Sequence, residues 1–586
     1  MVPAMRQNNL SIHSENILPI IKKWLYSDKD IFLRELVSNA CDALNKVRII
    51  QGDVGDFKIS IAVDKENKTI TIADTGIGMT EDEVEKYIAQ IAFSGAEEFV
   101  EKYKSQTDKD PIIGHFGLGF YSAYMVASKV EIDTLSYKEG SSPVFWSCDG
   151  SSSYTIDTGT RKERGTTITL HVNDPEYLEE TKLRQLLDRH CNFMPFPIDL
   201  NSKPIGNQEP LWLKAPSECT EKEYLAFYRQ LFPLDPEPIF WIHLNVDYPF
   251  HLQGILFFPK IHRRFDANES TIKLFCSRVF VSDNCKDILP DYLMILRGAI
   301  DSPDIPLNVS RSYLQVDKNV RQLSSHISKK VSDKLCQLYK NDREKFIASW
   351  PDIEMIVKLG ILQDEKFYDR VKEILIWKNS EGNWTTIGDN KKVLYSTTEN
   401  SPLHKLYKSE ILFATTPIDT AVIQHLESKL DIKFQRVDGA LDESLLDPSR
   451  EKTLLDADGK TESAHIADFI RSALVDVEVE AKSLSSDQLP GLVILDENQR
   501  RFRDYISLTQ GQKGIDTKKT FVVNTNNKLI QTITKLHKKQ PEVASEIAKS
   551  LYDLSLLSQR EIDPANLEDV VTRQTEILEK MSTLLV

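Results

Sequence analysis

No C-x-x-C pair occurs among the seven cysteines of this 586-residue chain. That excludes the common zinc sites, and so few thiols at irregular spacing build no disulfide framework; free thiols in a reducing compartment are the simpler expectation. No apolar run approaches the roughly 18–20 residues that a bilayer span requires. The first residues, MVPAMRQNNLSIHSEN, hold no basic stretch followed by an apolar one, so no secretory signal is visible. Positive charge is outnumbered. Lys and Arg number 73 against 88 Asp and Glu, a net charge of -15, which argues against nucleic acid as a partner because that binding rests on cations meeting phosphates. The Walker pattern G-x-x-x-x-G-K-[ST] is missing, as are H-R-D and D-F-G segments, which excludes P-loop and protein-kinase chemistry. No internal repeat and no low-complexity tract is found. What remains, 41% hydrophobic and 27% charged, is ordinary globular material for about three or four domains. A cytoplasmic protein without membrane or nucleic-acid partners is expected.

The most informative segment present is FLRELVSNACDALNKV. Glu35, Asn39, Asp42 and Lys46 are spaced four, three and four apart, and at about 100° per residue they share one helical stripe roughly 40–60° wide. Leu33, Leu36, Val37, Ala40, Leu44 and Val47 fall on the opposite side. Alone, this reads as an amphipathic helix with a solvated face. Two glycine-rich segments change the reading. IADTGIGMT delivers Asp74 from a strand into a turn with Gly76 and Gly78, and Thr80 with Glu83 forms a capping box that starts the next helix. D-x-G is common in plain turns, yet a carboxylate at a strand end can also accept from an adenine amino group. GHFGLGF, with Gly114, Gly117 and Gly119, runs into YSAYMVA, expected to be an apolar helix whose free N–H groups would hold phosphate oxygens. Its G-x-x-G-x-G order is not the dinucleotide fingerprint. One such turn is weak; three segments in this order point to an ATP site.

Chemistry assigns the roles. Asn39 offers an amide oxygen to Mg2+, a hard cation that keeps most of its waters. Glu35, one turn earlier, is placed to orient and polarise the attacking water. Asp42 and Lys46 extend the stripe towards the base and sugar.

The rest of the chain reads as further α/β material. Residues 1–200 predict an α+β domain with strands over 58–63, 69–73, 130–134 and 166–172. PFPIDLNSKPIGNQEP then reads as an exit strand running into a linker. A β-rich stretch begins near Leu211 and turns helical from Val316 to about Trp350. KKVLYST and SEILFAT are short buried strands, with a helix over VIQHLESKLD. A polar boundary follows at 447–464, then strands GLVILDE and KTFVVNT, and amphipathic helices at 541–558 and 566–585.

The three segments in order resemble the GHKL ATPase superfamily. Within it, IFLRELVSNACDAL, IADTGIGMT, GHFGLGFYSAYMVA and RGTTITLHV are similar to the N-terminal domain of the ninety-kilodalton heat-shock chaperones. LNVDYPFHLQGILFFPK and SRVFVSDNCKDILPDYLMILRGAIDSPDIPLNVSRSYLQ resemble that family's middle domain. The resemblance implies an α+β and α/β multidomain chain. Its parts would be an N-terminal GHKL-type ATP-binding α/β sandwich over 1–205, a middle αβα domain over 211–455, and a C-terminal mixed α/β dimerisation domain over 460–586. It extends the nucleotide set to Gly78, Met79, Gly117, Gly119 and Phe120, and places Thr166 beside Asp74 at the adenine. It gives Arg311 and Gln315 the task of reaching the γ-phosphate from the middle domain; by itself Arg311 reads as a surface or capping arginine. The family's charged interdomain linker and acidic C-terminal pentapeptide are not seen, which points to the bacterial branch. One departure is Phe93 and Ala96 in the lid segment IAFSGAEEF, where the family often has lysine and threonine.

The implied activity is ATP hydrolysis with Mg2+, driving a homodimeric chaperone joined through its C-terminal helices. Its partners would be non-native client proteins and other chaperones. Client contact is expected at exposed apolar side chains in the middle and C-terminal regions, with Phe502 and Tyr505 in RRFRDYI as candidates that equally suit a core. Two alternatives stay open: another GHKL enzyme of the DNA-repair, topoisomerase or histidine-kinase type, and an ATP-independent holdase.

Overall fold

The computed structural model describes residues 28–53, 55–90, 99, 117–151, 153–206, 209–248, 250–260, 271–283, 288–304, 318–439, 441–450, 460–474, 476–496, 499–503, 506 and 518–583. Two compact units divide the chain, Met1–Lys334 and Leu335–Val586.

In the first unit, helix α1 (Ile31–Gln51) buries all six apolar residues of its predicted back. Burying a Leu, Ile or Val side chain contributes about 1.5–3 kcal/mol, which far outweighs the β-branched residues' weak helix propensity. Gly52, at φ +76°, ends the helix with its N–H on the Arg48 carbonyl. The helix lies on an eight-stranded sheet of order β5-β4-β3-β6-β2-β1-β7-β8. Its strands are β1 (Ile59–Asp64), β2 (Thr69–Asp74), β3 (Ala127–Leu135), β4 (Val144–Cys148), β5 (Tyr154–Thr158), β6 (Gly165–Val172), β7 (Ile198–Leu200) and β8 (Lys203–Ile205). All pairs are antiparallel except β1 with β7.

Two expectations are corrected here. YSAYMVA does not form an α-helix: Gly119–Met125 is 3-10, and Ala127 already opens β3. Apolar composition alone did not distinguish the tighter turn from α-helix. The supposed linker after Pro195 is a further hairpin of the sheet. Asn201 and Ser202, at φ +48° and +62°, make the tight reversal that Asn favours.

The same unit holds a second sheet, order β12-β11-β13-β10-β9, built from β9 (Phe240–Val246), β10 (Leu252–Phe258), β11 (Thr271–Cys276), β12 (Val279–Ser282) and β13 (Arg297–Asp301). It meets the first sheet's domain at a mixed seam. Arg278 Nε donates to the Phe193 carbonyl at 2.7 Å, and the buried His190 ring stands 5.4 Å from Phe280.

The second unit carries a five-stranded sheet, whose strands include β14 (Trp377–Asn379), β15 (Trp384–Thr385) and β18 (Lys433–Arg436), and a three-stranded sheet of β19 (Glu478–Lys482), β21 (Lys519–Asn524) and β20 (Gly491–Leu495) in that order. KKVLYST and SEILFAT become β16 (Lys392–Ser396) and β17 (Ile411–Phe413). Beside them a buried ion network joins two helices. Lys358, wholly buried, places Nζ 2.5 Å from Asp419 Oδ1 and 3.2 Å from Thr416 Oγ1, and also pairs with Glu354. Asp419 also accepts from the Trp377 indole at 3.3 Å. Removing Asp419 leaves the buried Lys358 with the partly exposed Glu354 as its carboxylate partner and takes an acceptor from the Trp377 indole. Asp419→Ala is therefore expected to destabilise this unit by about 3–5 kcal/mol; a denaturant midpoint equal to wild type would show that the network is not a stabilising element.

Candidate functional site

The polar front of α1 is not a solvated face. Glu35 and Asp42 are buried, and Asn39 and Lys46 are half-buried. Glu35 Oε1 accepts from Arg34 Nη2 at 2.9 Å and Nε at 3.1 Å. Arg34 Nη1 also reaches the Val281 carbonyl of β12 at 3.5 Å. On the other side of the carboxylate sits Gly119, where a Cβ would lie 2.6 Å from Glu35 Oε2. The glycine thus lets the chain pass directly over the carboxylate. Burial lowers the Lys46 pKa, against the pull of the Asp42 and Glu83 carboxylates. Its ammonium also lies 5.6 Å from the Phe99 ring centroid.

Asp74 owes its place to strand alternation. In β2, Ile70 and Ile72 point into the core, and two residues on the same face comes Asp74. Its Oδ1 accepts from Gly76 N at 2.8 Å and Thr166 N at 3.3 Å. Burial pushes its pKa up to about 6, opposed by the Gly76 amide, Arg161, the Thr166 amide and Arg164. Register places Asp74 opposite Thr166 on β6, and Thr166 opposite Thr134 on β3. The two threonine hydroxyls are 3.0 Å apart, and Thr134 Oγ1 also accepts from Met79 N at 3.0 Å. A polar row therefore crosses three strands at one end of the α1 stripe.

The Asp74–Met79 turn is fastened to both neighbours. Ile77 N donates to the Ala43 carbonyl of α1 at 3.0 Å, and Tyr137 N to the Ile77 carbonyl at 2.9 Å. Gly76 has no room for a Cβ, which would fall 2.6 Å from Ala43 Cβ. The capping box at Thr80 and Glu83 forms as expected.

The structure thus gathers Glu35, Asn39, Asp42 and Lys46 on one helix face, and Asp74, Gly78, Met79 and Thr166 at the adjoining strand ends. Gly117 and Gly119 lie on the segment over Glu35, Gly117 at φ +63°. Phe120 turns its ring into the core, 5.9 Å from Trp146, so only its backbone faces the turn. Arg311, Gln315, Phe93, Ala96 and Gly114 lie outside the described residues. Sequence reasoning missed Arg34, Thr134, Arg161 and Arg164. Arg34 adjoins Glu35 but falls off the stripe, and the other three become neighbours of the site only through sheet register.

An Asn39 amide beside buried carboxylates suits a single hard-cation contact, with the remaining ligands drawn from phosphates and water. Among the described residues no group of three or more His, Cys, Asp and Glu is arranged to hold a metal by itself.

Gly78 is the position least open to change. Its φ is +62°, and a Cβ would lie 1.9 Å from the Leu135 carbonyl oxygen. Gly78→Ala is expected to cost about 2–4 kcal/mol of stability through backbone strain and displacement of β3; an unchanged unfolding midpoint would remove this turn from the structural role given to it.

Comparison with known proteins gives the same outline. The family profile described as Hsp90 protein matches residues 201–582. That described as histidine kinase-, DNA gyrase B- and HSP90-like ATPase matches 28–174. A protein named chaperone protein htpG from Bacteroides fragilis (strain YCH46) is 39% identical, covering 95% of this chain and 88% of its own length. Chaperone protein HtpG of Porphyromonas gingivalis (strain W83) is 38% identical over 93% of this chain and 88% of its own length. A mitochondrial TNF receptor-associated protein 1 homolog from Dictyostelium discoideum is 28% identical over 97% and 85%. With a matching profile over more than half its length and relatives this similar along nearly all of it, the chain belongs to the Hsp90 family.

Proposed function

We propose that the chain hydrolyses ATP at the α1 site and uses the cycle to act on non-native proteins as a homodimer. Family membership makes it an ATP-dependent chaperone rather than a DNA-repair, topoisomerase or histidine-kinase enzyme. The observation that carries the hydrolytic reading is the buried Glu35 carboxylate, held by Arg34 and overlaid by Gly119, one turn from Asn39.

In this reading Asp74 accepts the adenine amino group, with Thr166, Gly78 and Met79 lining the base end. Asp42 and Lys46 face the base and sugar side. Gly117, Gly119 and the Phe120 backbone lie along the phosphates. Asn39 would hold Mg2+, which when bound offsets phosphate charge as it builds. Glu35 orients a water and takes its proton, and Arg34 fixes which way that carboxylate points. Arg311 and Gln315 would act from the middle domain, where a guanidinium stabilises transition-state charge only once docked. The division into 1–205, 211–455 and 460–586 belongs to the same proposal, as does a cytoplasmic location, which the free state of the six described cysteines supports.

The C-terminal helices support the dimer. Helix 541–558 packs Ala544, Ala548 and Leu551 into the core and leaves Val543, Leu554 and Leu557 exposed. Helix 567–583 buries Val570 alone and exposes Val571, Leu578 and Met581 by 57%, 66% and 55%. Phe502 is also exposed, as client contact requires; Tyr505 lies outside the described residues.

Arg34 is itself buried, so Glu35→Gln, which keeps an acceptor for it, is a better test than alanine. ATP affinity is expected to stay within a few-fold while turnover falls by about 10²–10⁴. Turnover within twofold of wild type would remove Glu35 from the chemistry, and a wild-type protein with no ATPase activity would favour the holdase.

The double variant Val571→Asp, Leu578→Asp is expected to sediment as a monomer at micromolar concentration. It should bind ATP but hydrolyse it more slowly, because two nucleotide domains no longer meet at high effective concentration. A dimer of undiminished affinity would place the interface elsewhere.

A further inference from the structure

The loop between β5 and β6, Gly159–Arg164, is built against the base end of the site by two arginines that the nucleotide reading does not use. Arg161 Nη2 donates to the Asp74 carbonyl at 2.9 Å and to the Arg164 carbonyl at 3.2 Å. Its Nε donates to the Glu163 carbonyl at 3.2 Å, and its Nη1 to Thr167 Oγ1. Arg164 donates to the Thr75 carbonyl and lies 5.7 Å over the Phe57 ring. Asp133 of β3 anchors the loop by accepting from Thr160 N at 3.1 Å and from Arg161 N at 3.4 Å. Gly165 makes room for this approach: at φ +122°, its Cβ would stand 2.1 Å from the Asp74 carbonyl oxygen and 2.7 Å from Arg161 Nη2.

We propose that Arg161, with Arg164 beside it, is a positioning residue for nucleotide binding, holding the end of β2 in register and Asp74 as an anionic acceptor for the adenine amino group. This rests on the reading of Asp74 given above.

Two observations make the arrangement more than a braced turn. Both guanidinium groups donate to main-chain carbonyls around Asp74, which brings two positive charges close to its carboxylate and favours the ionised form. Burial meanwhile works against the ionised acid, whose pKa rises to about 6. The groups facing Asp74 are Arg161 and Arg164 from the loop, the Gly76 amide from its own turn, and the Thr166 amide from β6. Helix α1 packs on the turn through Ala43 and carries Asp42 and Lys46 on its site face. Without Arg161, the balance shifts towards the neutral acid, which presents a proton where adenine presents another.

The sign of the effect follows. Loss of a nearby cation raises a carboxylate's pKa, so the acceptor form is depleted most at low pH and fully restored well above it. The test is calorimetric ATP affinity of the full chain for wild type, Arg161→Gln, Arg161→Lys and Asp74→Asn from pH 6 to 8.5. Titration of the nucleotide phosphates cancels in the ratio of variant to wild type. For Arg161→Gln the affinity is expected to be about two- to sixfold weaker than wild type near pH 6 and equal to it at pH 8.5, as a roughly three- to tenfold upward change in the acid's proton affinity gives. Arg161→Lys, which keeps the charge, should show no such pH-dependent ratio, and it stands as the test if the glutamine variant does not fold. A ratio that is the same at every pH, whether one or tenfold, would overturn the proposal and leave Arg161 a structural residue at most; so would a lysine variant with a strongly pH-dependent ratio. Asp74→Asn separates the two layers. If it binds ATP as wild type does, the placement of adenine at Asp74 fails; if it loses ATP while Arg161→Gln keeps the wild-type profile, only the role of Arg161 fails.

Discussion

Ile77 N on the Ala43 carbonyl is a single backbone hydrogen bond of 3.0 Å, and the geometry of the site depends on the approach it requires. A helix backbone is normally sheathed by its side chains, so a turn can reach one of its carbonyls only where both partners are small. Ala43 on the helix and Gly76 on the turn meet that condition, and a Cβ on the glycine would overlap Ala43. The same constraint recurs two turns earlier on α1, where Gly119 crosses Glu35. Two glycine segments therefore lie against one helix at points eight residues apart, about 12 Å along its axis. On the function proposed here, that span would separate the base end of the site from its hydrolytic end.

Close approach also removes water, and the charges respond in opposite directions. Burial raises the Asp74 pKa and lowers that of Lys46, because desolvation disfavours whichever form carries charge. The fold answers with partners rather than exposure. Glu35 has Arg34, Lys46 has the Asp42 and Glu83 carboxylates, and Asp74 has two amides and two guanidinium groups. A buried carboxylate with fixed donors has a defined direction, which a water-polarising group needs, whereas a solvated one would sample many.

Much of this was legible in the sequence, for identifiable reasons. The stripe from Glu35 to Lys46 and its apolar back follow from helical period alone. Asp74 was expected at the end of a strand, and strand alternation puts it on the buried face of Ile70 and Ile72. The capping box at Thr80 announced the next helix. What could not be read depends on register and on distant segments. Thr134 and Arg161 lie 60 and 87 residues beyond Asp74 and reach it only through the pairing of β2, β6 and β3. The 3-10 course of Gly119–Met125 was hidden because an apolar run carries no signal that separates it from α-helix. The hairpin after Pro195 was hidden because Asn201 and Ser202 equally suit a linker.

The C-terminal helices show the same limit from the other side. In helix 541–558, sequence spacing joins Val543, Ile547, Leu551, Leu554 and Leu557 into one stripe. The structure divides them, burying Leu551 and exposing Val543, Leu554 and Leu557. Period identifies an apolar face but not what covers it. The final helix is attached to its predecessor largely through polar groups: Arg573 with Asp553, Lys580 with Glu546 at 2.6 Å, and Gln574 with Ser550 at 2.7 Å. Exposed ion pairs contribute little stability, yet they set orientation, and here they turn the helix so that Val571, Leu578 and Met581 face outward. Packing within a single chain would favour the reverse rotation, with those side chains inward and the charges in water. The outward arrangement is the one that a second copy, presenting the same face about a twofold axis, would cover.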